Sequence, residues 1–166
     1  MSKRKEKKKG PDRGVFEDEI RKLMESEDIR KMGIYEQHEG NNTLQHVRNV
    51  TYCSFSIAEK LKMNIDERSL ARGSMLHDYY LYNIDEEGLS DYRHGVDHPR
   101  KALKNARSRF ELNRKEENII LSHMWPLTLF HPPLCREAFL VCIADKYCAV
   151  NEMYMHRNNL EGKWKK

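Results

Sequence analysis

The chain has 166 residues, 39% of them hydrophobic and 34% charged, with a formal net charge of +4. That length suits one domain with a real core, and no apolar run approaches the roughly 20 residues that span a bilayer. Residues 1–14 hold seven Lys/Arg against Glu6 and Asp12, a net of +5, which leaves the rest at −1 and suited to small anions rather than to a nucleic-acid surface.

No apolar stretch follows the basic N-terminal residues, so no secretory leader is expected. The four cysteines (Cys53, Cys135, Cys142, Cys148) contain no C-x-x-C pair and read as reduced, mostly buried residues of a cytoplasmic protein. Like charges, Gly10-Pro11 and Gly14 predict a disordered tail over residues 1–14. Such a tail has the charge to touch nucleic acid or an anionic surface, but without an aromatic residue it reads better as solvated.

From Val15 the period is helical. Phe16, Ile20, Leu23 and Met24 predict an amphipathic helix ending near Gly33. Asn41-Asn42-Thr43 predicts the cap of a long helix reaching about Met63, with Val47, Val50, Ser54, Ile57, Ala58 and Leu61 as its stripe and His46 on the shoulder. Asn64-x-x-Glu67 has the form of a capping box, opening a helix that carries Gly73 and ends at His77-Asp78. Gly inside a helix costs about 1 kcal/mol against Ala, so Gly73 predicts close packing on a neighbour.

Residues 83–97 are acidic, contain glycine and lack a sustained period, which predicts a loop. His98-Pro99 predicts the next helix start, since Pro is favoured in a first turn, with Ala102, Leu103, Ala106 and Phe110 inward. Asn113-x-x-Glu116 is a second capping box, for a helix bearing Ile119, Ile120 and His123 that Pro126 ends. After Pro132-Pro133 a last helix is expected from Leu134 to about Arg157. Its expected core face is Phe139, Leu140, Ile143, Tyr147, Val150 and Tyr154, with Asp145 in the middle. No strand-like alternation competes. The expected fold is all-α: one domain over residues 15–160, six to seven helices, and a short basic tail at 161–166.

The pair His77-Asp78 carries the chemical argument. An imidazole beside a carboxylate at the buried end of a helix is costly, because an unpaired buried ion costs several kcal/mol. A bound metal ion would relieve that cost; a satisfied core histidine beside a helix-end aspartate is the plain alternative. His46, His98, His123 and Asp145 are the other metal-competent residues at core-facing or helix-end positions. Each has a structural reading as well: an ion pair for Asp145, a first-turn residue for His98, and a C-cap facing the helix dipole for His123. Together they come from five helical segments, and the middle of a helical bundle is where metal sites are commonly built. Imidazoles and carboxylates suit Fe, Mn, Co, Ni or Zn, and the lack of thiolates at motif positions argues against structural zinc.

The order of these residues, His46, then His77-Asp78 about thirty positions on, then Asp145 in a late helix, resembles the HD-domain superfamily of metal-dependent phosphohydrolases over roughly residues 43–155. His98 and His123 between them match its six-ligand, dinuclear branch, which includes small bacterial nucleotide hydrolases. The resemblance implies an HD-type helical bundle around a buried site for two divalent transition-metal ions. His46, His77, Asp78 and Asp145 would hold one; Asp78 would bridge to a second held by His98 and His123. It also implies hydrolysis of a nucleotide or other small phosphate ester by a metal-activated water.

One position departs from the family pattern. Many HD hydrolases carry Lys three residues after the motif Asp, where this chain has Leu81 within Tyr79-Tyr80-Leu81-Tyr82. Transition-state charge would then be met by another cation, with Lys146, Arg48, Arg93 and Arg100 as candidates. His94, four residues before His98, is a candidate for substrate contact or for donation to the leaving group. The tyrosines either stack on a base or pack. Leu81 also keeps two other functions in view: a mixed-valence di-iron oxygenase with the same ligand set, and a nucleotide-sensing domain without turnover.

Overall fold

In the computed structural model, which describes residues 10–38, 41–82 and 90–163, the first helix starts from Asp12. Its carboxylate accepts hydrogen bonds from the backbone N–H groups of Gly14 and Val15, satisfying donors that a helix start leaves without partners. Helix α1 therefore spans Arg13–Glu25, and Arg13 and Gly14 belong to it rather than to the tail. Residues 1–9 of that expected tail lie outside the described residues. Nor does α1 continue to Gly33. It stops at Ser26, and α2 (Glu27–Arg30) and a 3-10 turn (Lys31–Ile34) follow. A two-stranded antiparallel ribbon, β1 (Glu36–His38) with β2 (Asn41–Asn42), is the only β structure among the described residues.

Helix α3 (Thr43–Lys60) begins as expected, with Asn42 Oδ1 accepting from the Gln45 N–H at 2.9 Å. Helix α4 (Glu67–Leu76) does not use the Asn64-x-x-Glu67 box. Asp66 caps it instead, accepting from the Ser69 N–H, while the Asp66 N–H itself donates to Glu137 Oε1 at 2.6 Å. The Asn113–Glu116 box is formed in full at the start of α6 (Arg114–Ser122).

The largest departure is α5 (Asp91–Arg109). Residues 91–97, expected in a loop, are helical and capped by Ser90, and Pro99 lies inside the helix instead of opening it. Pro99 offers no N–H to the Gly95 carbonyl one turn back, yet His94, Gly95, His98 and Pro99 are all buried. Packing of one face stabilises a helix more than propensity does, and that packing has no local signature in so polar a segment. Residues 83–89 of the expected loop lie outside the described residues.

Helix α7 spans Arg136–Lys163, so residues 161–163 of the expected C-terminal tail are helical. Its core face is also different. Ala138, Leu140, Val141, Ala144 and Cys148 are buried, whereas Phe139, Ile143, Tyr147, Val150 and Tyr154 face outward. Both sides of the helix are apolar, and the side with small residues lets α3 approach closely. The resulting all-α bundle has seven helices among the described residues, with α3 against α4 and α7, α1 on α4, and α6 between α4 and α7. Gly73 is where α4 meets α6: a Cβ there would lie 2.5 Å from Ile119 Cδ1 and 2.9 Å from its Cβ. No helix among the described residues is long and apolar enough to cross a membrane.

Candidate metal centre

Five segments deliver the six expected ligands to one buried point. His46 comes from the first turn of α3, His77 and Asp78 from the end of α4, His98 from the middle of α5, His123 from the end of α6 and Asp145 from α7. The two Asp78 oxygens face different partners. Oδ2 lies 3.7 Å from His46 Nε2 and 3.5 Å from His77 Nε2; Oδ1 lies 3.1 Å from His98 Nε2 and 3.3 Å from His123 Nε2. Asp145 Oδ1 adds to the first group, at 3.1 Å from His46 Nε2 and 3.6 Å from His77 Nε2. Potential ligand atoms of His46, His77 and Asp145 all lie within 4.8 Å of one another, as do those of His77, Asp78 and His123.

Local backbone chemistry aims these rings. His77 and His123 are the C-caps of α4 and α6, and each Nδ1 sits 2.7 Å from a carbonyl of its own last turn, Ser74 O and Ile120 O. His98 does the same within α5, with Nδ1 2.9 Å from His94 O. A carbonyl only accepts, so each of these Nδ1 atoms carries a proton, and each Nε2 is the nitrogen turned to the centre, where the neutral ring offers a lone pair. His98 Nε2 and His123 Nε2 are 2.7 Å apart. Two lone pairs at that distance repel unless a proton or a metal ion lies between them. His77 Nε2 is fully buried and has no hydrogen-bond partner. These lone pairs and two carboxylates, with no thiolate among them, fit a divalent transition-metal ion.

His46 is oriented by a residue the sequence reading missed. Its Nδ1 is 2.9 Å from Glu152 Oε2, and Asn49 Nδ2 donates to Glu152 Oε1 at 2.8 Å. A carboxylate on the outer nitrogen of a ligand histidine fixes the ring and raises its basicity. Glu152 lies seven residues after Asp145, two turns along the same face of α7; that spacing was the available signal.

The field of the centre favours positive charge. Burial lowers the His46 pKa, but hydrogen bonds to Asp145 and Glu152 overcome it and raise the pKa to about 10. Burial pulls His77 down too, yet the charge of Asp78 and the nearby Asp145 leave it raised. For His123 burial wins, and its pKa is lowered. Burial pushes Asp78 up, but the surrounding imidazoles, His77 first, hold it well below the usual carboxylate range. Asp145 is likewise lowered against its burial by His46 and His77, so its partners are imidazoles rather than the Lys or Arg of the plain reading.

Of the other candidates, His94 is buried beside the cluster. It stacks on His98 with centroids 4.6 Å apart and planes 14° apart, and its Nδ1 is 2.9 Å from the Tyr82 hydroxyl. Tyr80 is buried and sets its ring edge-on to both His94 and His98, walling the centre, whereas Tyr79 is buried against Phe110 and touches none of the ligand residues' rings. Leu81 packs against the core and takes a left-handed φ of 58°. Lys146 is not brought among the ligand atoms: its Nζ donates to His123 O at 2.9 Å and Cys142 O at 3.2 Å, pinning the end of α6. Arg48, Arg93 and Arg100 are exposed, and Arg100 Nη2 lies 3.3 Å from His131 Nε2.

An all-α bundle that gathers four imidazoles and two carboxylates at its centre defines a helical protein with a candidate metal site. The HD domain family model matches residues 43–150, more than half of the chain, and the chain belongs to the HD domain family. That family includes metal-dependent phosphohydrolases. No curated protein and no solved structure matches the chain.

Proposed function

We propose that this protein is a metal-dependent phosphohydrolase acting on a nucleotide or other small phosphate ester. The observation that carries the reading is the division of the Asp78 carboxylate between two sets of imidazole nitrogens, Oδ2 toward His46 and His77 and Oδ1 toward His98 and His123. His46, His77, Asp78 and Asp145 would hold one ion, and Asp78, His98 and His123 a second. Divalent ions held there supply positive charge for phosphate oxygens and lower the pKa of a water. The chain's own residues do the rest. Asp78 joins the two ligand sets, and the outward Nδ1 bonds keep the rings from turning. His94, oriented by Tyr82 and stacked on His98, protonates the leaving oxygen. Lys146 acts as a positioning residue through His123. Tyr80, edge-on to His94 and His98, excludes water from the inner wall.

Phosphate release is the direct test. Protein loaded with Mn²⁺, Co²⁺ or Fe²⁺ is expected to release phosphate from at least one member of a panel of nucleotides and simple phosphate esters, and the Asp78→Ala variant is not. Wild-type protein carrying stoichiometric metal yet inert on the whole panel would overturn the reading. Leu81, apolar and packed where many HD hydrolases carry Lys, supports di-iron oxygen chemistry as the second reading. Substrate-dependent O₂ consumption by the iron form, with no anaerobic turnover in the Mn²⁺ form, would favour it.

A further inference from the structure

Helix α7 is apolar on both sides. One side, with Ala138, Val141, Ala144 and Cys148, is buried against the bundle. On the other, Phe139, Ile143, Tyr147, Val150 and Tyr154 are 50%, 44%, 62%, 67% and 62% exposed. Their spacings of four, four, three and four keep them on one stripe of an α-helix. An amphipathic surface helix buries its one apolar stripe, whereas α7 carries a second apolar stripe that the bundle leaves uncovered.

The stripe has a symmetry that identifies what covers it. Read in either direction from Tyr147 it alternates large and β-branched residues: aromatic, β-branched, aromatic, β-branched, aromatic. Phe139 and Tyr154 are eight and seven positions from Tyr147, and Ile143 and Val150 four and three. An antiparallel copy of the same helix would therefore set Phe139 against Tyr154, Ile143 against Val150, and Tyr147 against itself. An isologous contact about a two-fold axis requires such self-complementarity; a foreign partner does not. An aromatic side chain carries roughly 150–250 Å², so the exposed parts of the five stripe residues come to about 500 Å² per copy. Two copies paired along the stripe would therefore bury about 1,000 Å² in total, the level a specific interface clears.

We propose that α7 pairs antiparallel with α7 of a second copy of this chain, with Tyr147 at the two-fold axis. The ligand set is complete within one copy, so the contact is separate from the metal chemistry.

Sedimentation of the full chain tests the pairing and cysteine crosslinking tests its register. The wild type is expected to sediment as a dimer, and Tyr147→Glu to weaken association by at least about 30-fold, the loss expected for a central hot spot, with unchanged circular dichroism. Under mild oxidation Tyr147→Cys should crosslink to itself. Phe139→Cys and Tyr154→Cys should each fail alone but crosslink when mixed, with the wild type, which keeps its own four cysteines, as control. A monomeric wild type would overturn the proposal, as would a dimer that survives Tyr147→Glu. Self-crosslinking of Phe139→Cys would show a parallel pairing and overturn the antiparallel one. If the Glu variant does not fold, the three cysteine variants decide.

Discussion

Each imidazole of the cluster has two nitrogens, and in all four rings the one pointing away from the centre has a partner: Ser74 O, His94 O and Ile120 O for three of them, and Glu152 for His46. The partner decides the tautomer, and the tautomer decides whether Nε2 offers a lone pair or a proton. Glu152 differs from the carbonyls in being charged. Burial raises its pKa, but hydrogen bonds from His46 and Asn49 bring it below the ordinary value, so it acts on His46 as an anion. Glu152→Gln keeps an acceptor there and removes the charge. It is expected to weaken divalent-metal affinity by about 10–100-fold, the usual effect of losing such an outer partner, with helix content unchanged. A competitive metal titration measures it, and wild-type affinity in the variant would remove Glu152 from the site. The six ligand candidates were legible because their order along the chain resembles the HD pattern, although each residue taken alone also had a structural reading. Glu152 was not, because a Glu on a long helix usually meets solvent and its contact with His46 spans 106 positions.

At the scale of elements, the site is built from helix ends. Helices α4 and α6 end in His77 and His123, so ligand geometry depends on how those helices meet, and they meet at Gly73. A methyl group there would press on the branched stem of Ile119, which cannot swing aside as a flexible chain end would. Overpacking costs typically 1–3 kcal/mol, while Ala gains about 1 kcal/mol over Gly in helix propensity. Gly73→Ala is therefore expected to lower stability by about 1 kcal/mol in denaturant unfolding and to weaken metal binding. Ile119→Val in the same chain should restore part of both; an Ala variant as stable as wild type would show that α4 and α6 have slack.

The start of α4 gives a pH-dependent test. Burial raises the Asp66 pKa, but the hydrogen bonds from Ser69 and the charge of Lys115 leave it lowered below 3.8. A depressed carboxylate contributes stability that is present above its unfolded pKa and lost as pH falls through the folded one. Asp66→Ala should thus cost about 1 kcal/mol near neutrality, and the gap to wild type should narrow only below about pH 4. Thermal unfolding of both proteins across that range measures it. A gap independent of pH would assign the effect to something other than the carboxylate. The helices themselves were mostly readable from apolar period and caps. The first two turns of α5, residues 91–97, were not, because they are polar and are held by burying His94 against Tyr80 and Tyr82 and His98 against His123.

At the scale of the whole molecule, five segments are tied together at one point rich in negative charge. A cation bound there in the folded state and absent from the unfolded one stabilises the fold by mass action, about 2.7 kcal/mol at a hundred times its dissociation constant. For a chain of this size that corresponds to roughly 5–10 °C in Tm. Chelation of metal-loaded wild type should lower Tm by that order and readdition should restore it, whereas Asp78→Ala should respond to neither. Equal shifts in both proteins would place the stabilising ion elsewhere.

The sequence by itself determined the all-α class, most helix starts, the close packing at Gly73 and the types and order of the candidate ligands. All of these depend on the spacing of neighbouring residues and on the cost of burying polar groups. Only the tertiary structure decided that the Asp78 carboxylate is divided between two sets of nitrogens, that Glu152 backs His46, and that Lys146 holds the end of α6. It also decided which side of α7 faces in. Period locates an apolar stripe, but α7 has one on each side, and the choice rests on how closely α3 can approach: Ala138, Ala144 and Cys148 went inward with Leu140 and Val141, and the aromatic Phe139, Tyr147 and Tyr154 were left on the surface.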